Sequence, residues 1–158
     1  SNGAFIEQGS YYGKLLTREQ NNILSIHGVM WPKKDNEEKN QYALKRAADH
    51  NKLRKHELSR LENDKIVRDM VEFLEKHEIR PIFVIFPFTQ WYRKYIDSFY
   101  KKDIFELLNS LPQQVELLDM NEIDGFNDED FLDTDHLSLR GAEKATRLLV
   151  EFIKIEQM

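Results

Sequence analysis

The sequence predicts an α/β fold in which helices flank a parallel sheet in three layers. Pro81-Ile82-Phe83-Val84-Ile85-Phe86-Pro87 is continuously apolar and rich in β-branched residues, the pattern of a parallel strand buried on both faces. Residues 115–120, Val-Glu-Leu-Leu-Asp-Met, read as a second strand. From residue 64 the order is helix, strand, helix, strand, loop, helix. That is a βαβ pattern, whose right-handed crossovers put helices on both sides of a sheet. Two strands are few for a complete domain of this kind. Either the N-terminal 30 residues contribute another, or part of the fold lies outside the sequence.

The chain divides into three stretches. Residues 1–35 mix aromatics, glycines and polar residues, with a short helix expected at 15–26, Thr17 as its N-cap, Gln20 three residues on and Gly28 after its end. Residues 36–63 form a charged helical segment. No Pro or Gly occurs between 36 and 78, and Glu, Lys, Leu, Ala and Arg dominate. Its sparse apolar positions predict a helix that projects or packs lightly. The third stretch, 64–158, is the α/β part. It opens with an amphipathic helix carrying Ile66, Val67, Met70, Val71, Phe73 and Leu74, and the seam with the charged helix is expected near Glu62-Asn63-Asp64. Helical sequence follows the main strand at 89–100 and 103–111, and residues 121–130 form a polar loop. The last helix begins after Ser138, its cap, with Leu139, Ala142, Ala145, Leu148, Leu149, Phe152 and Ile153 as the core face.

Composition narrows the function. The 158 residues carry a net charge of −5 and are 41% hydrophobic, enough for a core and against a dedicated nucleic-acid binder. The chain has no cysteine, which excludes disulfides and thiolate metal sites. The longest apolar run, 81–88, is too short to span a bilayer.

The stretch that carries chemistry is Asp133-Thr134-Asp135-His136-Leu137-Ser138, between the last strand and the last helix. A carboxylate placed before a histidine can hold one imidazole nitrogen, fix the tautomer and stabilise the charged ring. The plainer reading is a helix-entry loop in which acids favour the helix N-terminus. Asp135 is the other candidate partner, but in an extended segment neighbours point opposite ways, which favours Asp133. Asp119, at a strand end, is a further acid near the same edge, with loop initiation as its simpler role.

Other motifs read as structure first. Gly125-Phe126-Asn127-Asp128 reads as a turn. His27, His50, His56 and His77 share no metal-ligand spacing, so no metal site is expected. Lys52, Arg54, Lys55 and His56 read as a solvated face. Phe88, Trp91, Tyr92 and Tyr95 cluster just past the main strand, where aromatics are usually core. In that position Phe88, Trp91 and Tyr92 can also line an acyl or sugar pocket.

The block Phe131-Leu132-Asp133-Thr134-Asp135-His136-Leu137-Ser138-Leu139-Arg140-Gly141-Ala142 resembles the final block of the SGNH (GDSL-like) hydrolase and acyltransferase superfamily. Ile79 to Pro87 followed by Gln90-Trp91-Tyr92 resembles the C-terminal half of the DltD family of D-alanyl-lipoteichoic acid biosynthesis proteins. The resemblance covers roughly residues 60–155. It implies a flavodoxin-like, SGNH-like sheet, His136 as catalytic base and Asp133 as its partner. It also implies a nucleophilic serine in a glycine-containing turn after a first strand. No such block stands here. Gly9-Ser10 is nearest, after the poor strand Ala4-Phe5-Ile6-Glu7-Gln8. Ser10 is thus the internal candidate, and a serine upstream of the sequence, or a degenerate relative, is the alternative.

By this resemblance the expected function is acyl or D-alanyl transfer, or ester hydrolysis, in the cell envelope, without metal or organic cofactor. An acyl or D-alanyl donor or a cell-wall polymer would be the partner. The protein would be extracytoplasmic and membrane-associated through a segment outside this sequence. The competing expectation is a non-catalytic binding module. Its charged helix 36–63 would contact another copy or a membrane-protein partner, with Asp-x-x-His a relic.

Overall fold

The structure is a computed structural model and describes residues 31–155. The helix expected at 15–26, the candidate nucleophile Ser10 and His27 lie outside the described residues. The fold is mixed α/β, mostly helical, with a small two-stranded parallel sheet. A 3-10 turn, Trp31–Lys33, leads into α1 (Asn36–Asn51), a 3-10 turn (Lys52–Lys55) and α2 (Glu57–Lys76). Then come β1 (Ile82–Ile85), α3 (Gln90–Arg93), α4 (Phe99–Asn109) and β2 (Glu116–Asp119). Two further 3-10 turns, Met120–Glu122 and Asp128–Asp130, precede α5 (Leu139–Ile155).

Helix α1 starts on a reciprocal cap. The Glu38 N–H donates to Asp35 Oδ1 at 2.9 Å and the Asp35 N–H donates to Glu38 Oε2 at 3.1 Å. The helix does not project. Ala43 and Ala47 are fully buried, and small side chains there let α1 lie directly on α3. The seam also differs from expectation, falling at Lys52–Lys55 rather than near residue 63. Tertiary bonds end α1. Asn51 Nδ2 donates to the Tyr95 carbonyl at 3.0 Å, Asn51 Oδ1 accepts from the Asp97 N–H at 2.9 Å, and the Tyr100 hydroxyl donates to the His50 carbonyl at 2.7 Å. The same knot shortens the helix expected at 89–100 to α3. Asp97 Oδ1 then accepts from the Phe99 N–H at 2.8 Å, at the start of α4.

The two strands run in register from Ile82 opposite Glu116 to Ile85 opposite Asp119. Their side chains alternate between two clusters, as successive strand residues must. Phe83 and Leu117 join Val67, Val71, Leu108, Leu111 and Val115 from the α2 and α4 side. Val84 and Leu118 join Met120, Ala145, Leu148, Leu149 and Phe152 from the α5 side. Burial of Val71 in the first cluster contributes about 1.5–2 kcal/mol. β1 was expected to be buried on both faces, yet its four residues are only half-buried. Among the described residues β2 is its one hydrogen-bonded neighbour, which leaves the β1 flank less covered than a central strand requires.

Helix α5 corrects a further expectation. Gly141 and Ala145 are its buried residues, with Leu148, Leu149 and Phe152 packed beside them, whereas Leu139 and Ala142 are exposed. The inward face is turned because Gly141 sits against the backbone of Asp130. A Cβ there would lie 2.0 Å from the Asp130 carbonyl oxygen. Among the described residues no helix is long and apolar enough to cross a membrane.

Candidate active site

The Asp-x-x-His segment is a closed loop. Phe131 and Leu137 pair as an antiparallel bridge, the Leu132 N–H donates to the His136 carbonyl at 2.8 Å, and the Ser138 N–H donates to the Asp130 carbonyl at 2.9 Å. Below it, fully buried Asp130 accepts from the Asn127 N–H at 2.9 Å and from Lys144 Nζ at 3.2 Å. Its Oδ1 lies 3.1 Å from Arg140 Nε, an ion pair without hydrogen-bond geometry. Asp128 accepts from Trp31 Nε1 at 3.2 Å and from Lys39 Nζ at 2.8 Å. Gly125, at φ +104°, and Asn127, which caps the next turn, complete the turn expected there.

Within the loop, Asp133 Oδ1 accepts the backbone N–H groups of Asp135 and His136, both at 2.9 Å. This local turn brings the His136 ring back over the same carboxylate. His136 Nδ1 lies 3.0 Å from Oδ1 and 2.9 Å from Oδ2 of Asp133. An ionised carboxylate only accepts, so Nδ1 carries the hydrogen and Nε2 of the neutral ring keeps its lone pair. The His136 side chain is 58% exposed, and Nδ1 is the ring nitrogen engaged by Asp133. No hydroxyl among the described residues is hydrogen-bonded to Nε2.

The intervening residues face elsewhere. Thr134 is fully buried, and its carbonyl accepts from the Thr89 N–H at 3.2 Å and from Thr89 Oγ1 at 2.9 Å. The two threonine hydroxyls are 3.1 Å apart. Thr89 also caps α3, so the loop is pinned to the chain just beyond the carboxyl end of β1, the edge where ligands of parallel sheets bind. Asp135 is bound by Arg46 through Nε at 3.1 and 3.2 Å and NH2 at 3.0 Å. Its Oδ2 stays 4.0 Å from His136 Nδ1. The bond to Asp135 raises the Arg46 pKa, against the effect of burial.

Sequence reading missed the contribution of α1. Tyr42, Arg46 and His50 recur every four residues and form one stripe toward the loop and α3. Burial pushes the Tyr42 pKa up, and the charges of Asp133 and Asp135 push it further, with Arg46 opposing. His50 Nδ1 lies 2.6 Å from the Tyr92 hydroxyl. Tyr92 is pushed up to about 12, first by burial and then by the Asp135 charge. The i, i+4 spacing was visible, but not the surface it would meet.

Of the pocket residues, Phe88 and Tyr92 line a cavity of about 490 Å3 at the strand ends. Trp91 lies off it, its Nε1 buried without a hydrogen-bond partner among the described residues. Asp119 closes β2 beside Lys101 at 2.9 Å. Burial pushes its pKa up, but the bonds from Lys101 and Asn121 outweigh that and hold it low. Asp133, Asp135 and His136 each offer one donor atom within 4.8 Å of the others. Arg46 already engages both oxygens of Asp135, and its positive charge opposes a cation there.

A profile for a family of unknown function matches residues 29–157. The chain belongs to this family. The match takes in every described residue, the α1 stripe and the Asp-x-x-His loop alike. No curated protein and no solved structure matches the chain.

Proposed function

We propose that the chain is the Asp–His-bearing part of an SGNH-like, DltD-like domain that works in ester hydrolysis or in acyl or D-alanyl transfer at the cell envelope. The observation that carries this is the hydrogen bond of His136 Nδ1 to Asp133, in a side chain that is more than half exposed. In the proposed reaction Nε2 takes the proton of a serine hydroxyl as that oxygen attacks an acyl carbonyl. Asp133 orients the ring and stabilises the imidazolium. The proton then passes to the leaving group. Water or a polymer hydroxyl takes the acyl group from serine, with His136 again as the base. The two side-chain clusters on opposite faces of the strands support a three-layer reading of the domain. The nucleophile is a serine upstream of this sequence, with Ser10 as the internal alternative. The place of action is extracytoplasmic, with membrane attachment through a segment outside this sequence.

The test is covalent labelling by a fluorophosphonate, in this chain and in any longer natural form. Labelling of one serine that falls sharply in His136→Ala supports the reading. Full biological function of the longer form carrying His136→Ala would sink it.

A second reading is favoured by the exposed leucines of the 36–63 segment. Leu53, Leu58 and Leu61 are 56%, 84% and 50% exposed, more apolar surface than a solvated helix needs. In this reading they contact a second copy or a membrane-protein partner. Light scattering on Leu58→Glu/Leu61→Glu tests self-association, and a mass unchanged from that of a dimeric parent would exclude this face.

A further inference from the structure

The cavity of about 490 Å3 is a second element at the carboxyl end of the strands, and none of residues 133–138 lines it. Its size falls in the range of small-molecule sites, about 300–1000 Å3. Leu53, Ile85, Phe88, Ile96 and Ile104 supply apolar walls. The hydroxyls of the two tyrosines in the wall are both engaged by His50. Tyr92 Oη is bonded to His50 Nδ1 at 2.6 Å, and the Tyr100 hydroxyl donates to the His50 carbonyl at 2.7 Å.

The charges of the lining are almost all spent. Lys101 pairs with Asp119 at 2.9 Å and also with Glu122, and Asp97 accepts from Arg54 at 3.0 Å. Arg93 is the exception. Its NH1 donates to the Asn121 carbonyl at 2.8 Å, and among the described residues no carboxylate pairs with it. An apolar cleft lined by one arginine without a carboxylate partner among the described residues has the complement of an anionic amphiphile. A carboxylate is planar and matches that donor fork, and an alkyl chain matches the walls.

We infer that this cavity binds an aliphatic carboxylate, its chain against Ile85, Ile96 and Ile104 and its carboxylate on Arg93. The inference does not rest on the chemistry proposed for His136. Calorimetric titration of the chain with sodium decanoate and with decan-1-ol tests it. Decanoate binds more tightly than the alcohol. Arg93→Gln, at an exposed position, weakens decanoate by about tenfold or more and leaves the alcohol unchanged. Ile104→Glu weakens both ligands, and His136→Ala weakens neither. Equal affinity for the two ligands, no binding of decanoate, or no change on Arg93→Gln in a variant with unaltered circular dichroism would overturn it. Loss of decanoate binding in His136→Ala would move the site elsewhere. Failure of serine labelling leaves all these outcomes intact, so the two readings fail separately.

Discussion

Arg46 holds Asp135 in a two-pronged ion pair, with Nε and NH2 both within 3.2 Å of its carboxylate. Asp135 is the immediate neighbour of His136, and its side chain is only 7% exposed. The pair therefore does two things. It neutralises a carboxylate that would otherwise be buried alone, and it leaves Asp133 as the acid on the imidazole. A helix distant in sequence thus shapes the loop that holds the imidazole.

Removing the guanidinium leaves the Asp135 carboxylate sequestered without its counter-charge. Arg46→Gln is expected to lower stability by about 1–2 kcal/mol in urea denaturation, less than for a fully buried pair because Arg46 is partly solvated. The double variant Arg46→Gln/Asp135→Asn should recover most of that loss. Equal destabilisation of the single and double variants would show that the carboxylate is not the source.

Asp133→Asn keeps the size of the side chain and removes its charge. An amide can offer N–H toward Nδ1 as readily as oxygen, so the Nδ1–H tautomer is no longer enforced. Long-range nitrogen–proton NMR spectra of His136 should report Nδ1–H in the parent and a mixture in the variant. Serine labelling should fall by about 10³–10⁴-fold if the proposed mechanism holds. An unchanged tautomer would remove Asp133 from its orienting role.

What the sequence discloses is local. Val84 and Leu118 sit in apolar runs, and Asp133 and His136 are so close in the chain that a single turn joins them, so both strands and the gripped imidazole were legible. The end of α1 was not, because it depends on Tyr95, Asp97 and Tyr100 meeting His50 and Asn51 across the fold. The first turn of α5 was misread for a similar reason, whereas Ala145, Leu148, Leu149 and Phe152 face the core as expected. Hydrophobicity points to Leu139 and Ala142, but contact of Gly141 with the Asp130 backbone sets the rotation of the helix. Arg46 reads as one more charge on a solvated helix until Asp135 is seen opposite it.

That glycine contact can be tested directly. A methyl group on Gly141 would lie 2.0 Å from the Asp130 carbonyl oxygen and 3.0 Å from Leu137 Cδ2, and backbone cannot rotate aside as a side chain can. Gly141→Ala is expected to cost about 2–3 kcal/mol, measured by urea denaturation, although alanine is the better helix former. The His136 NMR signals should shift with it, because Asp130 anchors the loop. A stabilised variant would mean that this approach is not made in solution.

Glu78, just beyond the His77 cap of α2, has φ at +57°, in the left-handed region. The Ile79 N–H donates back to the Leu74 carbonyl at 2.9 Å, and the Glu78 N–H to Glu75 at 2.9 Å, the bonds of a helix C-terminus that favours glycine. Glu78→Gly relieves the strained residue and is expected to stabilise by about 0.5–1 kcal/mol, visible as a higher urea midpoint. A lower midpoint would show that the carboxylate side chain contributes more than the strain costs.

Tyr92 provides a pH test of the contact between α1 and α3. Its folded pKa is pushed up to about 12 from an ordinary value of 10.0, first by burial and then by the charge of Asp135. The folded state thus holds the phenol proton more tightly than the unfolded chain. The associated stability is fully present below the unfolded pKa, is lost as pH rises from 10.0 and is gone above about 12. Tyr92→Phe removes the titrating group, so the alkaline fall in melting temperature should be shallower than in the parent. It also strips His50 Nδ1 of its partner, so the variant starts from a lower stability at neutral pH. Parallel alkaline limbs for the two proteins would show that Tyr92 titrates normally, and that the Tyr92–His50 contact is open to water.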